Sequence, residues 1–370
     1  MVDFSAALFF SLYTFLQMYL FVTAMRIPAH KNKHNGEKNS VSGVSVVIPV
    51  KNEARNLPTL LTSLENQKFF LPLEIIFIDD GSTDGSGKIL ADAASVSGRN
   101  IRTLQGTFDP DCHLTGKQQA LDLGVRLASH ELIALTDADM VLNPDWIDTL
   151  YHSMSAGTAL VFGHTTIHPQ NHPFSFLQSL QLEFLFSIAS LFHHSGIAGS
   201  CMGNNLMIRK SIYLQYGGQK KIGYTVTEDR ALLCFFHKNR QPTEIVTPFH
   251  PTASTFPHVS MSDYFQQIGR WAAGGFSTGA NLFFFGLVFL AHVFLTIIAA
   301  AGVFTRLTGT AAIVSFISAW LVIILAFNKN RSPVSPFYFP LLYFFMASEA
   351  VLLPLYMLFN RKLIWKGKSI

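Results

Sequence analysis

A chain of 370 residues has room for one sizeable domain with added segments, or for two ordinary domains. With 49% hydrophobic and 14% charged residues, and a mean hydropathy of +0.31, it is too apolar for a wholly soluble protein, so part of it belongs in lipid. The 27 Lys and Arg barely outnumber the 23 Asp and Glu and form no basic stripe with interleaved aromatics, which argues against nucleic-acid binding.

In chain order, residues 4–25 are long and apolar enough to span a bilayer. The start carries Asp3 and no Lys or Arg, and the apolar run is too long for a signal peptide, so 1–28 reads as a retained anchor. Arg26, His30, Lys31, Lys33 and Lys38 then place the following chain in the cytoplasm by the positive-inside rule. A polar linker over 28–42 leads to the pattern of a soluble α/β domain ending near residue 257. Strands are predicted over 44–50, 74–78, 101–105 and 131–135, and helices over 57–67 and, with Thr115 as N-cap, up to Ala128. Alternating strands and helices imply a mainly parallel sheet whose ligands lie at the carboxyl ends of the strands. The run 174–192, with Gln178, Gln181 and Glu183 among aromatics and leucines, reads as either a core helix or an interfacial one.

Three more apolar runs follow, over 282–304, 310–327 and 336–359. Pro340, Glu349 and Pro354 interrupt the last, and Arg361, Lys362, Lys366 and Lys368 follow it. Both features favour a broken or re-entrant final segment that returns the basic tail to the cytoplasm. Cys112, Cys201 and Cys234 lack metal-ligand spacing and read as unpaired thiols of a reducing compartment. His164, His168, His172, His193, His194, His250 and His258 fall in no HExxH-like pattern, and read as surface or packing residues.

Two acidic clusters stand where the sheet argument asks for them. The strand 74–78 runs into Asp79-Asp80-Gly81-Ser82-Thr83-Asp84, and 131–135 runs into Thr136-Asp137-Ala138-Asp139. A calcium loop starting at Asp80 is excluded by Ala91 at its twelfth position. Asp84 is equally a turn former and a ligand. The alternating pair Asp137 and Asp139, at the end of an apolar strand, suits a hard cation that bridges phosphate oxygens. Lys117 falls in the first turn of its helix, where free N–H groups favour anions, although a solvated surface lysine would look the same.

Val46-Val47-Ile48-Pro49 with Asn52-Glu53, the 79–86 run, Gly116-Lys117 before Ala120-Leu121, and Asp137-Ala138-Asp139 resemble the donor half of family 2 glycosyltransferases with the GT-A fold. Thr227-Glu228-Asp229 and Gln267-Ile268-Gly269-Arg270-Trp271 are similar to the TED and QxxRW motifs of its membrane-bound members, such as cellulose and hyaluronan synthases and ceramide glucosyltransferase. The resemblance covers 44–271 in the family's order. It implies a GT-A-like, Rossmann-like mixed sheet joined to transmembrane and interfacial helices. It divides the chain into a donor half at 42–150, an acceptor half at 151–258, a QxxRW helix at 259–281 and membrane segments at 282–360.

It further implies that Asp80, with Asp79 beside it, holds the nucleotide, that Lys117 and Asp137 contact the donor, and that Asp139 coordinates Mg²⁺ or Mn²⁺ on the diphosphate. Asp229 would be the general base, with Glu228 beside it, although acids in a helix's first turn also serve its dipole. Gln267, Arg270 and Trp271 share one helix face, which would cover the donor with Trp271 at the acceptor. An interfacial helix would show the same spacing. Asn204 and Asn205 would line the acceptor side. The expected reaction is inverting, metal-dependent transfer from a nucleotide sugar, a UDP-sugar by the resemblance, to a membrane lipid. The alternatives are a processive polysaccharide synthase and an inactive membrane scaffold.

Overall fold

The computed structural model describes residues 2–27, 42–106, 109, 113–246, 251–275, 305–359, 364–365 and 368–369. The expected span 282–304, the linker and most of its basic flank, Cys112, His250 and most of the basic tail lie outside the described residues. Two compact units form: an α/β unit of residues 30–168 and 200–257, and a helical unit of 1–29, 169–199 and 258–370.

In the α/β unit, β1 (Val44–Val50), β2 (Leu73–Asp79), β3 (Asn100–Gln105) and β4 (Leu132–Leu135) pair in parallel in the order β3-β2-β1-β4. Helices α2 (Leu57–Glu65), α3 (Ser86–Val96) and α4 (Gly116–Leu127) cross over between them. Strands β1, β2 and β4 are apolar almost throughout, as befits strands covered on both faces. Pro49, which can give no ladder N–H, lies beyond the four β1 residues that pair with β4. The sheet then turns mixed: β8 (Leu206–Arg209) runs antiparallel to β4 and to β6 (Leu160–Phe162), and β9 (Thr243–Ile245) parallel to β6 forms the far edge.

A three-stranded sheet joins β5 (Met140–Leu142), β10 (Pro251–Thr255) and β7 (His164–Ile167). Trp146, at the start of α5 (Trp146–Ser153), is fully buried among the aliphatic side chains of β1, β2 and β4. Three short helices complete the unit: α7 (Lys210–Gln215), α8 (Gly218–Ile222) and α9 (Glu228–Lys238). Since β2 and β4 flank β1 on opposite sides, the chain order reverses at β1, the point where parallel sheets open a crevice beyond their carboxyl ends.

The helical unit contains α1 (Val2–Arg26), α6 (Pro173–His194), α10 (Met261–Gly275), α11 (Arg306–Lys329) and α12 (Phe339–Phe359). Among the described residues, α6, α11 and the segment Pro336–Phe359 are long and apolar enough to cross a membrane. Leu12, Phe15 and Met18 of α1, Ile313, Ile317 and Leu321 of α11, and Phe344, Leu352 and Leu358 of α12 are exposed, the pattern of lipid-facing sides. The helix α6 belongs to this unit, which corrects the expected acceptor half: residues 169–199 leave the α/β unit. Their buried polar side chains find partners within that unit, Gln178 with His258, Gln181 with Glu349 and Tyr264, Glu183 with Ser332, and Ser190 with Asn330. The run forms one mostly buried helix. The last apolar segment is also not broken: one helix continues through Pro354, and Glu349 is 7% exposed beside Gln181 and Tyr264.

Candidate active site

The loops after β1 and β2 are laced together by short polar side chains. Asn52, in the left-handed region at φ 54°, gives its N–H to Ser82 Oγ and accepts the Thr83 N–H through Oδ1. Asp84 accepts the N–H groups of Ala54 and Ser86 and the Ser86 hydroxyl, so its open reading closes on the turn former. Asp79 is 3% exposed and caps the Ser82 N–H at 2.8 Å. It shapes the loop rather than facing the crevice, which corrects its expected ligand role. Asp80 stands nearer the opening, 3.4 Å from Lys51 Nζ, with an oxygen so close to Gly116 that a Cβ there would approach it to 2.4 Å.

Beyond β4, Lys117 sits one residue into α4 and bridges two segments, with Nζ 2.8 Å from Asp137 Oδ1 and 2.5 Å from Glu228 Oε1. Burial opposes the charge of Lys117, but the two carboxylates outweigh it and hold the ammonium pKa above the ordinary lysine value. Asp229 follows in the first turn of α9. Burial first, and the neighbouring Glu228 charge second, push its carboxyl up to about 6, against the opposing Arg230 N–H and Lys117. Gly203 donates its N–H to Asp229 Oδ2 at 3.0 Å, and a Cβ on it would fall 2.5 Å from the Asp229 Cβ. Only glycine permits that approach.

Lys117, Thr136, Asp137, Gly203, Gln219, Glu228 and Asp229 line one pocket with Leu121, Leu135, Leu206 and Leu232. Thr227 Oγ1, just before the acid pair, is buried without a hydrogen-bond partner. Asp139 lies two residues beyond Asp137, part-exposed. Among the described residues no three His, Cys, Asp or Glu side chains converge as a protein-only metal cage. One or two hard carboxylates at a strand end fit Mg²⁺ or Mn²⁺ that takes its remaining ligands from phosphate oxygens and water.

Asn205 corrects another expectation. It is fully buried, accepts the Trp146 indole N–H through Oδ1 and donates to His164 O and Thr252 Oγ1, so it locks the core. Asn204 accepts the Thr165 hydroxyl at its side chain and the Thr136 hydroxyl at its carbonyl. Gln267, Arg270 and Trp271 lie on α10 of the helical unit, where Trp271 is 37% exposed and Gln267 hydrogen-bonds His258. Neither Cys201 nor Cys234 forms a disulfide among the described residues, and burial raises the pKa of both thiols.

Sequence reasoning missed Gln118. It is 0% exposed, with Oε1 accepting from the Thr115 and Thr225 N–H groups and Nε2 donating to Gln219 Oε1 and Gly223 O. The capping-box spacing from Thr115 signals its local bond only.

Residues 45–217 match the sequence profile described as Glycosyl transferase family 2. That stretch is similar to family 2 glycosyl transferase domains. The domain's likeness extends to the glycosyltransferase GlyG of Streptococcus pneumoniae serotype 4, 32% identical over 30% of this chain and 35% of that protein. Undecaprenyl-phosphate 4-deoxy-4-formamido-L-arabinose transferases are similar too: that of Pectobacterium atrosepticum is 33% identical over 33% of this chain and 37% of its own length. That of Yersinia enterocolitica is 30% identical over 42% of this chain and 46% of its own. The chain thus spans less than half the length of each of these relatives. Among solved structures, the mannosyltransferase PcManGT from Pyrobaculum calidifontis, in complex with GDP-Man and Mn²⁺, aligns at TM-score 0.56 and 16% identity. The alignment covers 90% of this chain and 99% of that one. At that identity the likeness is one of fold, and the α/β unit has a GT-A fold.

Proposed function

We propose that this chain transfers a sugar from a nucleotide-sugar donor, a UDP-sugar, to the hydroxyl of a membrane lipid, with inversion of the anomeric centre. The observation that carries the reading is the pair of ion pairs from Lys117 to Asp137 and Glu228, which gathers carboxylates from a strand end and a helix start around one pocket with Asp229. Asp80 and the loop after β2 would hold the nucleotide. Asp139, with Asp137 beside it, would hold Mg²⁺ or Mn²⁺, and that ion when bound would neutralise the departing diphosphate. Asp229 takes the proton from the acceptor oxygen as that oxygen attacks the anomeric carbon. A carboxyl held near 6 is a better base at neutral pH than an ordinary aspartate. Lys117 pairs with Glu228 beside Asp229, and the Glu228 charge helps raise the carboxyl of the base.

Charge supports a neutral acceptor. Three carboxylates and one ammonium line the described pocket, which suits removal of a proton from a neutral hydroxyl and repels an already anionic phosphate acceptor. The exposed apolar sides of α1, α11 and α12 support a membrane-integrated enzyme whose lipid substrate stays in the bilayer, and the basic flank after α1 supports a cytoplasmic catalytic unit. The test incubates membranes carrying the chain with labelled nucleotide sugars and separates products into organic, aqueous and insoluble fractions. Label on a neutral glycolipid is expected. Label on a lipid phosphate would overturn the hydroxyl acceptor, and label in a high-mass polymer would favour the processive synthase.

A further inference from the structure

The α4 helix contributes more than Lys117 to this pocket. Its next residue, Gln118, is buried and uses its whole hydrogen-bonding capacity, two bonds at each end of the amide. The bond from the Thr115 N–H to Oε1 completes the capping box and would suffice for a helix start. The other three reach residues more than 100 positions away: Gln219 Oε1 at 2.9 Å, Gly223 O at 2.8 Å and the Thr225 N–H at 3.2 Å. Gly223 adopts φ 82°, which directs the chain out of α8 toward the acid pair. The relay continues within that segment, since Thr225 Oγ1 accepts the Thr227 N–H at 3.1 Å, and Thr227 immediately precedes Glu228 and Asp229. One helical turn further along α4, Asp122 accepts the Tyr213 hydroxyl at 2.6 Å and the Gln219 N–H at 3.2 Å, which fixes the other end of the same segment.

From this geometry we infer that Gln118 is a positioning residue for the reaction: through residues 219–225 it sets where the first turn of α9 presents Asp229. The inference rests on the reading of Asp229 as the base. Asp229 has no N-cap side-chain bond behind it, because Thr227 makes none. Its placement therefore depends on the incoming segment, on the Gly203 N–H and on the Lys117 pairing with Glu228. A misplacement of about 1 Å at a reacting group costs on the order of 100-fold in rate while leaving the proposed nucleotide contacts after β2 undisturbed.

The experiment uses the full chain in detergent with native membrane lipids as acceptor. Its probe is whichever radiolabelled donor the wild type turns over from a panel of UDP- and GDP-sugars. Gln118→Met keeps the volume and removes all four bonds; Gln118→Glu keeps the acceptor toward Thr225 and turns oxygen against oxygen at Gln219 and Gly223. For both variants, per molecule able to bind donor, kcat is expected to fall about 10- to 100-fold while the donor KM and titrated donor affinity stay within about threefold. Wild-type kcat in either folded variant, or parallel loss of kcat and donor affinity, overturns the inference. If Gln118→Met does not fold, Gln118→Glu decides alone. Retained turnover in Asp229→Asn would instead sink the base assignment, whatever the Gln118 variants do.

Discussion

Asp229 carries the sharpest residue-level expectations. As the proposed base, with a carboxyl raised by burial, it must lose its proton to work, so kcat/KM should fall on the acid side, one proton per molecule, as pH drops through about 6. The same shift has the opposite sense for stability. A carboxyl with a folded pKa above its unfolded value stabilises below about pH 4 and loses that contribution as pH rises through about 6. Asp229→Asn should therefore abolish transfer, keep donor binding, and raise stability at neutral pH by about 1–2 kcal/mol. The gain should vanish at pH 4, as denaturant titration at the two pH values would check. Asp139→Ala should show the reverse pattern, a donor complex weakened about 10- to 100-fold, read by calorimetric titration with and without chelator. An unchanged affinity would remove Asp139 from the metal site. Asp137 and Asp139 stood out in the sequence because carboxylates at the end of an apolar strand carry their chemistry in residue type and place, whereas Asp229, in a helix's first turn, rested on the family resemblance. Asn205 and Asp79 were not legible, since a polar side chain reads the same whether it faces a ligand or ties a loop and core together.

At the scale of elements, the pocket depends on close packing between the starts of α4 and α9 and the turn before β8. Gly203→Ala would set a Cβ 2.5 Å from the Asp229 Cβ, so it should lower kcat about 100-fold and cost about 1–3 kcal/mol of stability. Gly157→Ala, whose Cβ would meet nothing within 4 Å, is the matched control and should change neither. Activity unaffected by Gly203→Ala would mean that α9 yields without displacing the carboxylate. Strand and helix positions in the first half were readable because buried parallel strands are continuous apolar runs and Thr115 is a strong N-cap. The helix 173–194 was readable as a helix only. Its aromatic and leucine pattern suits a soluble core, an interface or a bundle, and only its partners in α1, α11 and α12 distinguish them.

For the whole molecule, the apolar sides of α11 and α12 and the basic residues beyond them set the expectation of a membrane-integrated chain with its tail in the cytoplasm. A reporter fused after Ile370 should read cytoplasmic, and thiol labelling of the tail from outside intact cells would contradict it. The continuous α12 removes the expected break as the means of returning the tail, so the reporter tests the charge rule alone. Glu349 within α12 has a partner in each of two other helices, which removes the mid-membrane cost that had argued for a broken segment.

The sequence by itself determined the class of chemistry: strand-end carboxylates in a fixed order, an α/β unit and apolar helices. These follow from periodicity and residue type, which are local. Only the tertiary structure decided which carboxylates converge, because ion pairing of Lys117 with both Asp137 and Glu228 joins residues more than 90 positions apart. It also decided that Asp84 closes a turn, that Asn205 is core, and that residues 169–199 leave the α/β unit. Each of these outcomes depends on which buried polar group finds its partner, and that pairing is a property of the folded chain, invisible to any window of sequence.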